Sequence, residues 1–210
     1  MPLFSLKNVS FKNIIHYPNI ELPGGCAIFI CGESGCGKST LLKLLCGVAS
    51  PDAGEILFDG RPVCSVDPVT HRREVLLCGQ SAFLFDESIK ENFAQYYSYR
   101  DLPPPGVDEI AGYLKITAAD FPLDAQCATM SGGERQRVFT AICLSLCPKV
   151  LLLDEPTSAL DDATANALLT NIKSFCYERG ISLIVVSHNQ ALVQAYADYS
   201  VTLEGGRRHA

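Results

Sequence analysis

The stretch from Cys26 to Thr40, CAIFICGESGCGKST, constrains this chain more than any other. The apolar run Cys26–Cys31 has the composition of a short strand buried on both faces of a parallel sheet. It breaks into Gly32-Glu33-Ser34-Gly35-Cys36-Gly37-Lys38-Ser39, which fits G-x-x-x-x-G-K-[ST], and a helix-forming segment, Thr40–Cys46, follows at once. Strand, glycine loop and helix in that order make an anion site. Gly32, Gly35 and Gly37 let the backbone turn back on itself. The N–H groups of the loop, those of Glu33, Ser34 and Cys36 included, then converge where the helix N-terminus adds partial positive charge. Lys38 supplies a full charge to the β- and γ-phosphates of a nucleotide, and the Ser39 hydroxyl a ligand for Mg²⁺.

A chain of 210 residues, 48% hydrophobic, can bury one substantial core, with room for an appended subdomain. Its net charge of −6 and pI near 5.2 exclude a nucleic-acid binder that relies on a general basic surface. No apolar run reaches the length of about 18 residues that spans a bilayer, and MPLFSLKNVS has no signal-peptide pattern, so the expectation is a cytoplasmic, soluble protein. The ten cysteines include no C-x-x-C pair, and most sit inside apolar runs, so they read as small reduced hydrophobes. Cys36 differs: its place in the phosphate loop predicts a chemically accessible thiol.

Residues 3–22 alternate weakly and predict short antiparallel strands. Glu55–Phe58 predicts a strand ending at the Asp59-Gly60 turn, and Val75–Cys78 one that delivers Gly79-Gln80 to its C-terminal end. The middle changes character. Ser88-x-x-Glu91 is a capping box, Pro103-Pro104-Pro105-Gly106 forbids regular structure, and 107–116 predicts a second helix. We read a helical subdomain, about 83–146, inserted between two strands of one domain spanning 1–210. From Ser131 a helix runs with Val138, Ala141, Ile142 and Leu146 on one face, stopped by Pro148. Strands follow at Val150–Leu153, Ile181–Val186 and Tyr199–Leu203, with a helix over Asp162–Glu178 and a short polar tail at the end.

Two further motifs carry chemistry. The apolar strand VLLLDEP ends in paired acids: Asp154 can orient Mg²⁺ through water, and Glu155 can polarise the water that attacks the γ-phosphate. In SGGERQ, Ser131 and Glu134 form a capping box, which leaves Gly132-Gly133 unexplained, because paired glycines weaken a helix start. A second anion-binding helix N-terminus accounts for them.

Taken in order, these motifs resemble the ATP-binding cassette (ABC) ATPase family over nearly the whole chain. GESGCGKST resembles the Walker A loop, Gln80 the Q-loop glutamine, MSGGERQR the signature, VLLLDEP Walker B, Ser158–Asp161 the D-loop and His188 the switch histidine. The resemblance implies an α/β fold: a P-loop NTPase core with a mostly parallel sheet, an N-terminal antiparallel β subdomain and the inserted helical subdomain. It implies a head-to-tail dimer, or a pairing with another cassette, that holds two ATP molecules between the Lys38 loop of one subunit and Ser131–Gly133 of the other. Gln80 would contact Mg²⁺, Glu155 serve as general base, His188 steady the γ-phosphate and Thr40 reach the α-phosphate. Asp161 lies at the same interface. Met130 and Glu134 stand where the commonest signature has Leu and Gln, without obstructing phosphate contact by Ser131 and Gly133. The segment KNIIHYPNIELPGG is short for the family and leaves Tyr17 as the adenine-stacking candidate, with Phe11 second.

The function implied is ATP hydrolysis that drives a separate transmembrane permease, with the cassette peripheral at the inner face of the membrane. FLFDESIKENF, after Gln80, resembles exporter cassettes. A non-transport member, such as an iron–sulfur assembly ATPase, is the alternative. The chromosome type requires a long coiled coil between Gln80 and the signature, and only about fifty residues intervene. A scaffold without turnover is disfavoured by the joint presence of Gln80, Glu155 and His188.

Overall fold

The computed structural model describes residues 1–204, so the polar tail 205–210 lies outside the described residues. β1 (Phe4–Phe11), β2 (Ile15–His16) and β3 (Ile20–Leu22) pair antiparallel, as their alternation predicts. β4 (Ala27–Gly32) and α1 (Lys38–Leu45) flank the glycine loop. β5 (Ala53–Phe58) turns through Asp59 and Gly60, both at positive φ, into β6 (Arg61–Pro62). This completes an antiparallel sheet in the order β2-β1-β5-β6, with β3 beside β1.

The segment between β6 and Val75 carries structure that no apolar periodicity announces. A 3₁₀ turn at Val63–Ser65 leads into α2 (Pro68–Glu74). Asp67 caps α2 by accepting from the Thr70 amide at 2.8 Å, and Pro68 opens the helix, where its missing N–H costs nothing. His71 ties the helix inward: it is buried and its Nε2 donates to the Leu45 carbonyl at 2.8 Å.

The remaining strands are β7 (Val75–Cys78), β8 (Val150–Asp154), β9 (Ser182–Val186) and β10 (Tyr199–Leu203). With β4 they form a second sheet, β10-β4-β9-β8-β7, parallel at every pairing. Period-two alternation divides its side chains between two layers. Ile28, Ile30, Leu152 and Ile184 face α1 and the antiparallel sheet. Phe29, Cys31, Leu151 and Val185 face α6 (Asp162–Glu178), through Leu168, Leu169 and Ile172. The short α7 (Gln190–Tyr196), absent from the sequence reading, covers the end of this layer and is capped by Asn189. Both faces of the sheet are buried, which is why its strands read as unbroken apolar runs. Because all five strands point the same way, their C-terminal ends share one edge.

Between β7 and β8 lie α3 (Ile89–Ser98), α4 (Val107–Ile116) and α5 (Gly132–Ser145). The Ser88/Glu91 and Ser131/Glu134 capping boxes both form. These helices bury a core of their own, including Phe93, Ile110, Leu114, Val138 and Ile142. Further along α5, Cys143 and Leu144 pack into the sheet layer instead. α5 therefore belongs to both bodies and joins them mechanically. Leu146, expected on the apolar face of this helix, caps its end and is half-buried.

All ten cysteines are free thiols, and seven are buried. Burial pushes the Cys176 thiol up to about 12, in keeping with an inert packing role.

Candidate functional site

The parallel register brings four chain segments to one edge. Gly32 faces Leu203, Ile30 faces Val186, Asp154 faces Val186, and Cys78 faces Leu153. The glycine loop, Gly79-Gln80, Asp154-Glu155 and Ser187-His188 thus leave the sheet side by side, the position at which α/β sheets bind ligands.

Within the loop, Gly32 sits at φ 141°, and a Cβ there would fall 2.4 Å from the Leu203 carbonyl oxygen. Gly37, at φ 102°, occupies the N-cap of α1 and supplies no side-chain cap. Lys38 is buried, and its Nζ donates to the carbonyls of Gly32 and Glu33, both at 2.8 Å, which draws the loop into a ring. Glu33, Ser34 and Gly35 are exposed on its outer side, and Ser39 and Thr40 are half-buried in the first turn of α1. The amides of this first turn have no partner inside the helix. The ring is thus lined by backbone donors and one ammonium group.

Two loop expectations need correction. Cys36 is 7% exposed and packs beneath the loop, its Sγ 3.9 Å from Lys38 Nζ. Its backbone belongs to the loop but its thiol is not accessible, because at this position the side chain is the part that fills the core. Tyr17 cannot stack on a base as placed: it is 5% exposed, its ring belongs to the core, and its hydroxyl donates to the Gly37 carbonyl at 2.8 Å. A stacking ring must offer one open face. Phe11 is only half-buried, with Lys12 Nζ 5.6 Å from its ring centroid.

The acids meet the loop directly. Ser39 Oγ donates to Asp154 Oδ1 at 3.0 Å across a sequence separation of 115. Asp154 is buried; burial pushes its carboxyl above the usual carboxylate range, and the Ser39 hydrogen bond partly offsets this. A serine hydroxyl beside a carboxylate is the hard-oxygen donor set that suits Mg²⁺. Glu155 follows at φ 52°, a left-handed conformation rare for a non-glycine residue. Strain of this kind collects where a side chain must be aimed. Here it turns the carboxylate out of the strand line, with the Glu155 amide held by the Val186 carbonyl at 3.1 Å. His188 Nδ1 lies 3.6 Å from Glu155 Oε1, within ion-pair range once the imidazole is protonated. Both residues line a cavity of about 160 Å³, together with Thr157 and Ser187. A larger cavity, about 290 Å³ between β5 and the end of α1, includes none of the sequence-predicted site residues.

The other candidates stand apart. Gln80 is exposed beyond β7, and its side chain forms no hydrogen bond among the described residues. Ser131 and Gly132 are exposed at the start of α5, where Ser131 Oγ accepts from the Glu134 amide and Glu134 Oε2 accepts from the Ser131 amide. Gly133 lies against Ala159 of the segment after Glu155. Asp161 caps α6 and accepts from the amide and hydroxyl of Thr164, contacts that hold its carboxyl below the usual carboxylate range. Sequence reasoning missed Gln136, one helical turn into α5: it is buried, and its amide donates to the Asp154 carbonyl at 3.4 Å. The MSGGERQR motif contains it, but only the fold shows that it reaches the acidic strand.

A phosphate loop closed by its own lysine, a serine bonded to a buried aspartate, and a strained glutamate next to a histidine define a P-loop nucleoside triphosphatase. A sequence-family model described as ABC transporter matches residues 15–158. Among curated proteins, the chain is 34% identical over 207 residues to the "probable iron export ATP-binding protein FetA" of Escherichia coli (strain K12), covering 97% of this chain and 92% of that protein. It is also 34% identical to the "leukotoxin translocation ATP-binding protein LktB" of Pasteurella haemolytica-like sp. (strain 5943B), covering 96% of this chain but 30% of that one. Among solved structures, a bacterial Atm1-family ABC exporter with ATP bound superposes with a TM-score of 0.86 at 29% identity, over 100% of this chain and 38% of the other. CbiO1 of Clostridium perfringens, part of the ABC transporter complex cbiONQ, gives 0.82 at 25% identity, over 98% and 86%. The chain belongs to the ABC transporter family, and it is an ATP-binding, ATP-hydrolysing protein of that family.

Proposed function

We propose that this chain works as a single cassette, with 83–146 as its mobile part, and that two copies close head to tail over ATP to drive a separate membrane permease. The observation that carries the catalytic reading is the Ser39–Asp154 hydrogen bond, with Glu155 and His188 beside it at the same sheet edge. Mg²⁺ held by Ser39, Asp154 and Gln80 would supply charge neutralisation at the β- and γ-phosphates. Lys38 and the loop amides, Gly32 through Thr40, bind and orient the triphosphate. Glu155 takes the proton of the attacking water, and His188 holds the γ-phosphate in line.

The signature supports a two-copy site. Ser131 and Gly132 open outward, and nothing within 4 Å would meet a Cβ at Gly132. In the assembled site Ser131, Gly132 and Gly133 face the partner's triphosphate, with Glu134 bracing the helix start and Asp161 lying across the interface. Among the described residues no helix is long and apolar enough to cross a membrane. In this reading the work of transport belongs to a membrane-embedded permease chain that holds this one at the cytoplasmic face. Export is the direction supported by relatives named for iron export and leukotoxin translocation and by the Atm1-family exporter. A metal ion as cargo is supported only by the relative named for probable iron export, which is matched over 92% of its length. None of these relatives is named as an assembly ATPase.

The composite site has a direct test. Lys38→Ala and Ser131→Arg should each be inactive alone. Mixed, they should regain hydrolysis, because a mixed dimer contains one site with both an intact Lys38 and an intact Ser131. No recovery on mixing would refute the head-to-tail arrangement.

A further inference from the structure

Tyr17 is a core residue with one polar atom, and that atom is spent on the phosphate loop. Its hydroxyl donates to the Gly37 carbonyl at 2.8 Å, and the same oxygen accepts the first helical hydrogen bond of α1 from the Leu41 amide, also at 2.8 Å. Ile15 closes the contact from beside it: a Cβ at Gly37 would lie 2.9 Å from the Tyr17 oxygen and 3.0 Å from Ile15. Among the described residues no other hydrogen bond reaches the loop from this side.

The carbonyl of Gly37 and the amide of Lys38 are one peptide unit. In a trans peptide, C=O and N–H point in opposite directions, so a donor that fixes the oxygen from below aims the nitrogen's proton the other way. Two donors on one carbonyl also polarise the unit and strengthen its N–H as a donor. Burial raises the pKa of the Tyr17 hydroxyl, so the group remains a donor at any pH at which the protein works. Gly37 provides no side-chain cap and sits at φ 102°, so its peptide plane is fixed by two contacts on its carbonyl, the helical bond from the Leu41 amide and the Tyr17 hydroxyl.

We propose that Tyr17 is a positioning residue for nucleotide binding: through its hydrogen bond to the Gly37 carbonyl it presents the Lys38 amide to the phosphate chain. The proposal rests on the reading of residues 32–40 as the triphosphate site. It gives Tyr17 a function quite different from base stacking, since the residue acts on the phosphates from beneath the loop.

Tyr17→Phe removes only the hydroxyl and keeps the packed ring. Losing one neutral hydrogen bond of about 1 kcal/mol should weaken ATP binding about 5-fold, with KM rising and kcat little changed. Inorganic tripolyphosphate, competing with a fluorescent ATP analogue, should weaken by the same factor. A lower melting temperature with unchanged affinity for both ligands would make Tyr17 merely structural and overturn the proposal. Weakened ATP with unchanged tripolyphosphate would place Tyr17 at the base and overturn it as well. In the unaltered protein, tripolyphosphate should slow hydrogen exchange at the Lys38 amide, a measurement independent of how the variant folds, and no slowing there would also overturn it. Lys38→Ala separates the two levels: if that variant binds ATP normally, the triphosphate site itself is misplaced.

Discussion

Replacing Gly32 by alanine tests whether the phosphate loop leaves the sheet where the structure has it. Gly32 is at φ 141°, a region that side chains rarely adopt, and a residue forced into such a region costs about 1–3 kcal/mol. The new Cβ would sit 2.4 Å from the Leu203 carbonyl oxygen, against 3.4 Å for an ordinary contact, and 2.8 Å from Cys36 Sγ. The thiol can rotate, but the carbonyl is backbone of β10, so the end of that strand must move, at a further cost of about 1 kcal/mol for a perturbed ladder hydrogen bond. The sum, about 2–4 kcal/mol, is a large share of a domain's stability and corresponds to a urea midpoint lower by about 1–2 M. ATP affinity should fall as well, since Lys38 Nζ is held by the carbonyl of this same glycine. Urea unfolding followed by circular dichroism reads the first effect and calorimetric titration with ATP the second. A Gly32→Ala protein that unfolds within about 0.2 M of the parent would show that β4 and β10 do not converge here.

Three other outcomes are expected. The Asp154 carboxyl titrates above its ordinary value of 3.8 because it is buried, so the native state holds the proton more tightly than the unfolded chain does. The stability of the nucleotide-free protein should therefore decline as pH rises from that ordinary value through the raised one; Asp154→Asn should remove this decline while abolishing hydrolysis, and a denaturation series between pH 4 and 8, about the span that matters, checks it. Maleimide labelling of the native protein, read by peptide mass spectrometry, should mark the exposed Cys64 and Cys147 well before Cys36, and rapid labelling of Cys36 would contradict its placement under the loop. Phe85→Ala should leave folding and ATP affinity near normal but weaken co-purification with the permease, because Phe83 is 63% exposed and stacks edge-on to Phe85 at 5.2 Å in a surface aromatic cluster with Tyr96 and Tyr99. Undiminished pull-down would argue against that surface as the dock.

What could be read from the sequence was whatever is encoded locally. The strand–loop–helix around Lys38, the two serine capping boxes, and the apolar runs of β4, β7, β8 and β9 each carry their instruction within a few residues, and each forms where expected. The α2 and α7 helices escaped because each has only seven residues, too short a window for periodicity to emerge. Their only local signals were Asp67-Pro68 and the capping Asn189. At the site, the motifs named the residues but not the direction of their side chains. The sequence points Cys36 and Tyr17 toward the nucleotide, whereas the fold turns one thiol and one ring inward, because the loop must itself be supported from below. The left-handed backbone of Glu155 and the reach of Gln136 to Asp154 depend on partners distant in the chain, and no pattern in one sequence records them.

Glu155 is proposed here as the general base of ATP hydrolysis between two copies of this chain. Glu155→Gln removes the base and nearly preserves shape, so ATP binding should persist while steady-state hydrolysis falls about 10²–10⁴-fold, a barrier increase of about 3–5 kcal/mol. Because closure then outlasts hydrolysis, the variant should elute from gel filtration as a dimer with ATP and as a monomer without it. A Glu155→Gln protein that turns over ATP at the parental rate and remains monomeric in its presence would contradict the account.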